Sequence, residues 1–397
     1  MGGEDKPNER FSKRMMKMKI RRMAVLAACI LFGLFPPSAF AMEGELEEIY
    51  TEQYERSGAD RLADALPSDT AEQIKEWGLS VEDPDRLSTP DAGAVFQHLM
   101  TLAATALSTP LAAGTATLIV LLVCGLFGAV KREDAAHFNG LMEYFGVLCV
   151  CSVCLLPLMN SVRLMGEAVS VCGGFMLAFV PVYAGIMIAG GGAASATGSQ
   201  TLVFGAAQLI GRVADTALVP AAGGLMSLSA VSSLFSDLRL DGLIRAIQRA
   251  VNWVLGIGMT LFSALLTLGG AVTSATDSVA MRTTKFMTAS FVPVVGGAVS
   301  EALSSVLTCV GVLRASVGAY GMIAMALTLL PALVQLLVWK LMLLLTAAVA
   351  DVFGIDGVSR LLSGVGSVVG ILIAVVVSVA VVFLVSIGIM MMAGAKG

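Results

Sequence analysis

Seven apolar runs constrain this chain more than anything else in it: residues 111–130, 145–165, 168–189, 202–234, 251–272, 317–349 and 365–392. Each is about as long as the roughly 20 helical residues needed to cross a bilayer's hydrocarbon core. No water is available there, so each backbone N–H and C=O must be paired within its own segment, and helices do this. The rest of the composition agrees. The chain is 57% hydrophobic and 14% charged, with a mean hydropathy of +0.85, far from the soluble norm. These numbers predict an all-α polytopic membrane protein, with a bundle of about five to seven transmembrane helices.

The N-terminus reads as a cleavable signal peptide over residues 1–41. Lys13, Arg14, Lys17, Lys19, Arg21 and Arg22 form a positive lead, residues 24–35 an apolar core, and Ala39-Phe40-Ala41 a small-residue cleavage pattern. An uncleaved signal anchor is the alternative, and either places residue 42 outside the cytoplasm. Residues 42–100 then form a small exported acidic region, opened by Glu43, Glu45, Glu47, Glu48, Glu52 and Glu55. Within it Leu46, Ile49, Tyr50 and Tyr54 have the spacing of an amphipathic helix. The region is too short and polar to bury a core alone, so it is expected to pack on a partner or on the membrane domain. Lys131-Arg132 closes the first apolar run and places that end in the cytoplasm by the positive-inside rule.

After a first transmembrane pair (residues 101–169), the chain repeats itself. Phe179-Val180-Pro181-Val182 recurs as Phe291-Val292-Pro293-Val294, 112 residues on; Pro220 recurs as Pro331 after 111; and Asp241, Gly242 and Arg245 recur as Asp356, Gly357 and Arg360 after 115. Three landmarks in one order predict an internal repeat, with membrane repeat 1 at 170–272 and membrane repeat 2 at 273–397. If the Phe-Val-Pro-Val segments span, the copies are inverted; if they are re-entrant, the copies are parallel. Arg239, Arg245, Arg249 and Arg360 would be cytoplasmic in the parallel case, which modestly favours it.

Polar residues within such runs are the candidate site. Pro181 and Pro293 each free a backbone carbonyl, which marks either a broken helix lining a cavity or a packing kink. Gln208, Arg212 and Asp215 share one helical face, so they are either a structural ion pair or part of a transport path. Glu301, Ser304, Ser305 and Thr308 give a wet face that lines a pore or lies at the membrane surface. The cysteines at 149, 151 and 154 have no second cluster to complete a metal site. No hydrolase or metalloprotease motif is present and 190–199 lacks the Gly-Lys-Ser/Thr of a phosphate loop, so no metal, cofactor or catalytic residue is assigned. A net charge of -4 without a long basic run gives no footprint for nucleic acid.

The block Asp277, Ala280, Arg282, Thr283, Lys285 and Phe286, followed by Phe291, Pro293, Val294, Val295 and Gly296, resembles the signature of the stage III sporulation protein AE family. The glycine-alanine stretch from Gly191 to Ser195, the signal peptide and the order of apolar runs resemble that family too. The resemblance implies a multi-pass subunit of the mother-cell membrane around the forespore, mature N-terminus outside the cytoplasm, within a trans-envelope channel or secretion-like complex required for late forespore development. The partners it implies are other membrane subunits of the same operon, including an ATPase and ring-forming subunits, and a forespore membrane protein. An ion-coupled secondary transporter and a passive membrane scaffold are the alternative functions.

Overall fold

The computed structural model describes residues 44–84, 87, 92–129, 135–213, 216, 219–234, 241–291 and 296–393, and its regular elements are all helical. The signal-peptide residues, Lys131-Arg132, Asp215 and Pro293 lie outside the described residues. In chain order the helices are α1 (Gly44–Ser57), a 3-10 turn (Ala59–Ala65), α2 (Ser68–Glu76), α3 (Ala92–Ala129), α4 (Ala135–Ala189), α5 (Ala193–Val213), α6 (Val219–Leu234), α7 (Asp241–Phe291), α8 (Gly296–Val352) and α9 (Asp356–Ala393).

Five helices among the described residues contain a segment long and apolar enough to cross a membrane: Met100–Phe127, Tyr144–Ala189, Gly242–Ala280, Ser305–Val352 and Asp356–Met392. The chain is an all-α polytopic membrane protein. Two of the seven runs join. Residues 145–165 and 168–189 belong to the single helix α4, because Gly166-Glu167 between them does not break it: Glu167 pairs with Arg163 one turn back, and Gly166 lets Val219 of α6 approach. The run at 202–234 carries α5 and α6, and residues 214, 215, 217 and 218 between them lie outside the described residues. Pro220 belongs to α6 and is exposed.

The centre of the bundle is α4, α8 and α9, which pack on one another, with α3 against α4 and α8, and α7 against α9 and α5. Its interior holds Trp339, Tyr183, Phe175, Phe179 and Phe383. Phe175, Phe179 and Tyr183 form a ladder along α4, with centroid spacings of 5.8 and 5.4 Å. Gly321 of α8 admits it, since a Cβ there would stand 2.5 Å from the Phe179 ring. Two sharp corners join neighbouring helices. Gly191 (φ 80°) ends α4 and Gly354 (φ 69°) ends α8, each in the left-handed region that a Cβ penalises. At each, the next residue's N–H reaches back five residues, Gly192 to Met187 at 2.8 Å and Ile355 to Ala350 at 3.0 Å, which closes a Schellman cap.

The acidic segment packs onto the membrane helices. Tyr50 is buried in α1 as the amphipathic spacing requires, its hydroxyl donating to the carbonyl of Val81. α1 lies on α8, and the 3-10 turn lies on α4. Helix α3 starts at Ala92, so the boundary expected at residue 100 falls inside a continuous helix. Of the repeated landmarks, Asp241 and Asp356 each open a long helix. Pro220 and Pro331 both lie in helices, α6 and α8.

Candidate functional site

Depth within the bundle decides which polar groups are unusual. Gly185 and Ala189 of α4 line one cavity with Val310 and Leu313 of α8. Further along, Ser161 of α4 accepts hydrogen bonds from Gln335 (3.0 Å) and Trp339 (2.9 Å) of α8 while its own hydroxyl donates to Pro157 at 3.1 Å. The two helices are therefore antiparallel and in a fixed register. The register of α8 against α9 is fixed in the same way, by Lys340 donating to the carbonyl of Gly366 at 2.7 Å and by Gly318 facing Met391. Residues 161–167 of α4 thus lie level with about residues 331–337 of α8 and about 370–378 of α9, counting one residue per 1.5 Å of rise. That part of α9 is its apolar middle, Ile371, Leu372, Ile373, Val375, Val376 and Val377.

At this depth α4 carries an ion pair on its outer face. Arg163 Nε donates to Glu167 Oε1 at 3.2 Å, with the two side chains 73% and 57% exposed. Asn160 is exposed one turn before them, and Gly174, Pro181 and Gly185 continue the same exposed stripe towards the α5 corner. A charged side chain at the middle of a bilayer costs on the order of 3 kcal/mol when lipid surrounds it, and such groups face protein or water instead. Asn160, Arg163 and Glu167 thus give this part of the outer face of α4 a polar character that a lipid contact disfavours.

A second constellation lies at the α4–α5 corner. Helix α5 follows Gly192, which has no side chain to cap it. Asp277 supplies the cap from α7: its two oxygens accept the N–H groups of Ala194 (2.9 Å) and Ser195 (2.8 Å). Arg314 of α8 reaches the same corner, buried, and is electrostatically coupled to Asp277 and Tyr183. A Cβ on Gly190 would meet its guanidinium at 2.9 Å, so the glycine makes room for the arginine. Tyr183 Oη, Ser195 Oγ and Arg314 Nε are buried here without a hydrogen-bond partner among the described residues. Four helices, α4, α5, α7 and α8, are thus tied at one point by backbone dipoles and two opposite charges.

The sequence candidates are dispersed. Gln208 and Arg212 are exposed on α5, uncovered by this chain, and Thr216 donates to the Arg212 carbonyl at 2.6 Å. Pro181 sits inside continuous α4 and is exposed, so the first Phe-Val-Pro-Val segment is helical. Glu301 and Ser304 lie in the first turns of α8 with side chains outside the described ones, while Thr308 is exposed. Of the signature residues, Asp277 is the capping carboxylate. Arg282 and Thr283 are exposed on α7, Thr283 donating to Val279 at 2.9 Å. Lys285 and Phe286 belong to α7 and Gly296 opens α8, but their side chains are not described. From Ala193 onward the glycine-rich stretch is helix α5. Cys154 lies 3.0 Å from the hydroxyl of Thr117 on α3.

A sequence model of the family described as stage III sporulation protein AE matches residues 90–394. This chain belongs to the stage III sporulation protein AE family. It is 25% identical over 229 residues to the stage III sporulation protein AE of Bacillus subtilis (strain 168), a match covering 57% of each chain. No solved structure matches it. The family match takes in all five candidate spans, both corners and Asp277, and leaves α1, the 3-10 turn and α2 outside it. Neither Arg163 nor Arg314 is apparent from the signature block. The i,i+4 spacing of Arg163 and Glu167, in phase with Asn160, was the signal available for the first.

Proposed function

We propose that this chain is an integral membrane subunit of a sporulation channel or secretion-like complex linking mother cell and forespore, required for late forespore development. It lies in the mother-cell membrane around the forespore, with α1 and α2 outside the cytoplasm. It acts with an ATPase, ring-forming subunits and other membrane subunits, and with a forespore membrane protein. Its role is to form or bound a conduit and not to catalyse a reaction. Family membership supports the sporulation setting. The observation that carries the conduit is the exposed Arg163–Glu167 pair level with the apolar middle of α9. A monomer surrounded by lipid has no use for it, whereas a subunit facing an aqueous lumen or a polar neighbour does.

The test is replacement of the pair by leucine, Arg163→Leu/Glu167→Leu, at the native locus. The proposal expects the protein to remain in the membrane while heat-resistant spores fall at least tenfold. A lipid-facing pair gives the reverse: leucines suit lipid better, and normal sporulation by the double variant overturns the proposal.

A further inference from the structure

The groove between the first turns of α7 and α9 is lined by Arg245, Ser359, Arg360, Ser363 and Ser367, and has a volume of about 190 Å³. Arg245 of α7 and Arg360 of α9 border it from different helices. Three serines follow at four-residue steps along α9, so they form a single row on one side of the groove. Arg360 Nε donates to the Asp356 carbonyl at 3.3 Å, which holds this arginine against its own helix. The carboxylate of Asp356 is not part of the lining. One residue before Ser367, the Gly366 carbonyl binds the ammonium group of Lys340, so a third cation lies beside the upper end of the groove. The Ser367 hydroxyl donates to the Ser363 carbonyl at 3.0 Å, while Ser363 is exposed; an arginine pair beside such a hydroxyl matches the oxygens of a phosphate group.

An i,i+4 row on α7 runs from Arg245 through Arg249 to Trp253, Ile257 and Leu261, drifting about 40° round the helix at each step, and leads obliquely to a second, open depression lined by α7 alone. Asn252, Trp253, Gly256, Ile257 and Leu261 line this depression, which has a volume of about 440 Å³. It begins about 10 Å along the helix from Arg245. Trp253, Ile257 and Leu261 are exposed, and little of α7 is covered by the rest of the chain. A cationic cleft at the polar end of two spans, leading obliquely to an apolar trough, has the layout of an anionic phospholipid: phosphate below, acyl chain above.

We infer that the α7–α9 groove binds the phosphate of an anionic phospholipid headgroup, with one acyl chain lying along Trp253, Ile257 and Leu261. Free phosphate shares the headgroup chemistry but leaves the trough unused. The lipid therefore binds more tightly than inorganic phosphate, and a zwitterionic lipid binds more weakly than an anionic one.

The full-length chain in nonionic detergent is titrated with dioctanoyl-phosphatidylglycerol, dioctanoyl-phosphatidylcholine or inorganic phosphate, and thermal unfolding is followed. Phosphatidylglycerol is expected to raise Tm saturably, with a midpoint at least tenfold lower than that of the other two. Arg245→Gln/Arg360→Gln moves that midpoint up at least tenfold, and the remote Arg61→Gln does not. Ser363→Leu fills the groove without removing a charge and moves the midpoint at least threefold, which decides the matter if the arginine pair variant fails to fold. Equal shifts with phosphatidylcholine, equal shifts with inorganic phosphate, or a groove variant that responds like the parent would each overturn the assignment.

Discussion

Ser161 on α4 accepts the indole N–H of Trp339 on α8 at 2.9 Å, and this bond sets the depth of everything around it on α4. Gln335 donates to the same oxygen at 3.0 Å. Both donors lie in an apolar interface, Trp339 buried and Gln335 part-buried, and the one serine oxygen satisfies them both. Two turns of α8 are thereby locked onto one residue, and the Arg163–Glu167 pair is held one turn away at a level where lipid would be hostile to it.

Ser161→Ala removes the shared acceptor and leaves the Trp339 and Gln335 donors without a partner. The expected cost is about 1–3 kcal/mol, read as a lower denaturation midpoint in detergent. Ser161→Thr keeps the oxygen and should retain most of the stability.

Asp277→Ala leaves the first turn of α5 uncapped and removes a carboxylate that interacts electrostatically with Arg314. A lost cap alone costs about 1–2 kcal/mol. Limited proteolysis should then cut at the α4–α5 corner, which the parent protects, while Asp277→Glu restores charge without the short reach of aspartate and recovers only part of the protection.

Gly190→Val places side-chain atoms where the Arg314 guanidinium now lies, given that even a Cβ would approach it to 2.9 Å. The variant should be destabilised by at least as much as Asp277→Ala. Combining the two should cost less than the sum, since both act on one cluster. Strict additivity in a double-mutant cycle would show that the two residues do not communicate.

Burial pushes the Tyr50 hydroxyl up to about 12, and burial likewise pushes Tyr54 to about 12. The unfolded chain ionises tyrosine near 10, so above that pH the detached segment loses protons that the docked one retains. Docking of α1 is therefore fully present below pH 10 and is lost as pH rises from 10 through 12. Fluorescence of Trp77, which packs partly buried against the same cluster, should shift to the red over that window. Tyr50→Phe/Tyr54→Phe should flatten the transition, although it also deletes the Tyr50 bond to Val81.

The membrane class was legible from the apolar runs because helix formation in lipid depends on little besides length and hydropathy. The burial of Tyr50 was legible for a local reason, the amphipathic spacing of α1. The continuity of α4 was not. Glu167 reads as the polar gap between two spans when only hydropathy is counted, yet Arg163 neutralises it within the helix and Gly166 packs against α6. Nor was the Asp277 cap visible: its partners are 82 and 83 residues away, and no periodicity connects them. Gln208 and Arg212 attracted attention as intramembrane polar groups, but their exposure reflects the outer side of α5, a property that belongs to tertiary packing.

The claim that the α4 stripe abuts water or polar protein is tested most directly by cysteine substitution at Asn160, Arg163, Glu167 and Gly174, with buried Val162 and Met165 for comparison, in an otherwise cysteine-free chain in sporulating cells. Labelling is compared between a charged, water-soluble thiol reagent and an apolar maleimide. The stripe positions should react with the charged reagent, or be shielded from both reagents until the neighbouring subunits are absent. Reaction of all four with the apolar maleimide alone, in the assembled membrane, would place the stripe in lipid and contradict the account.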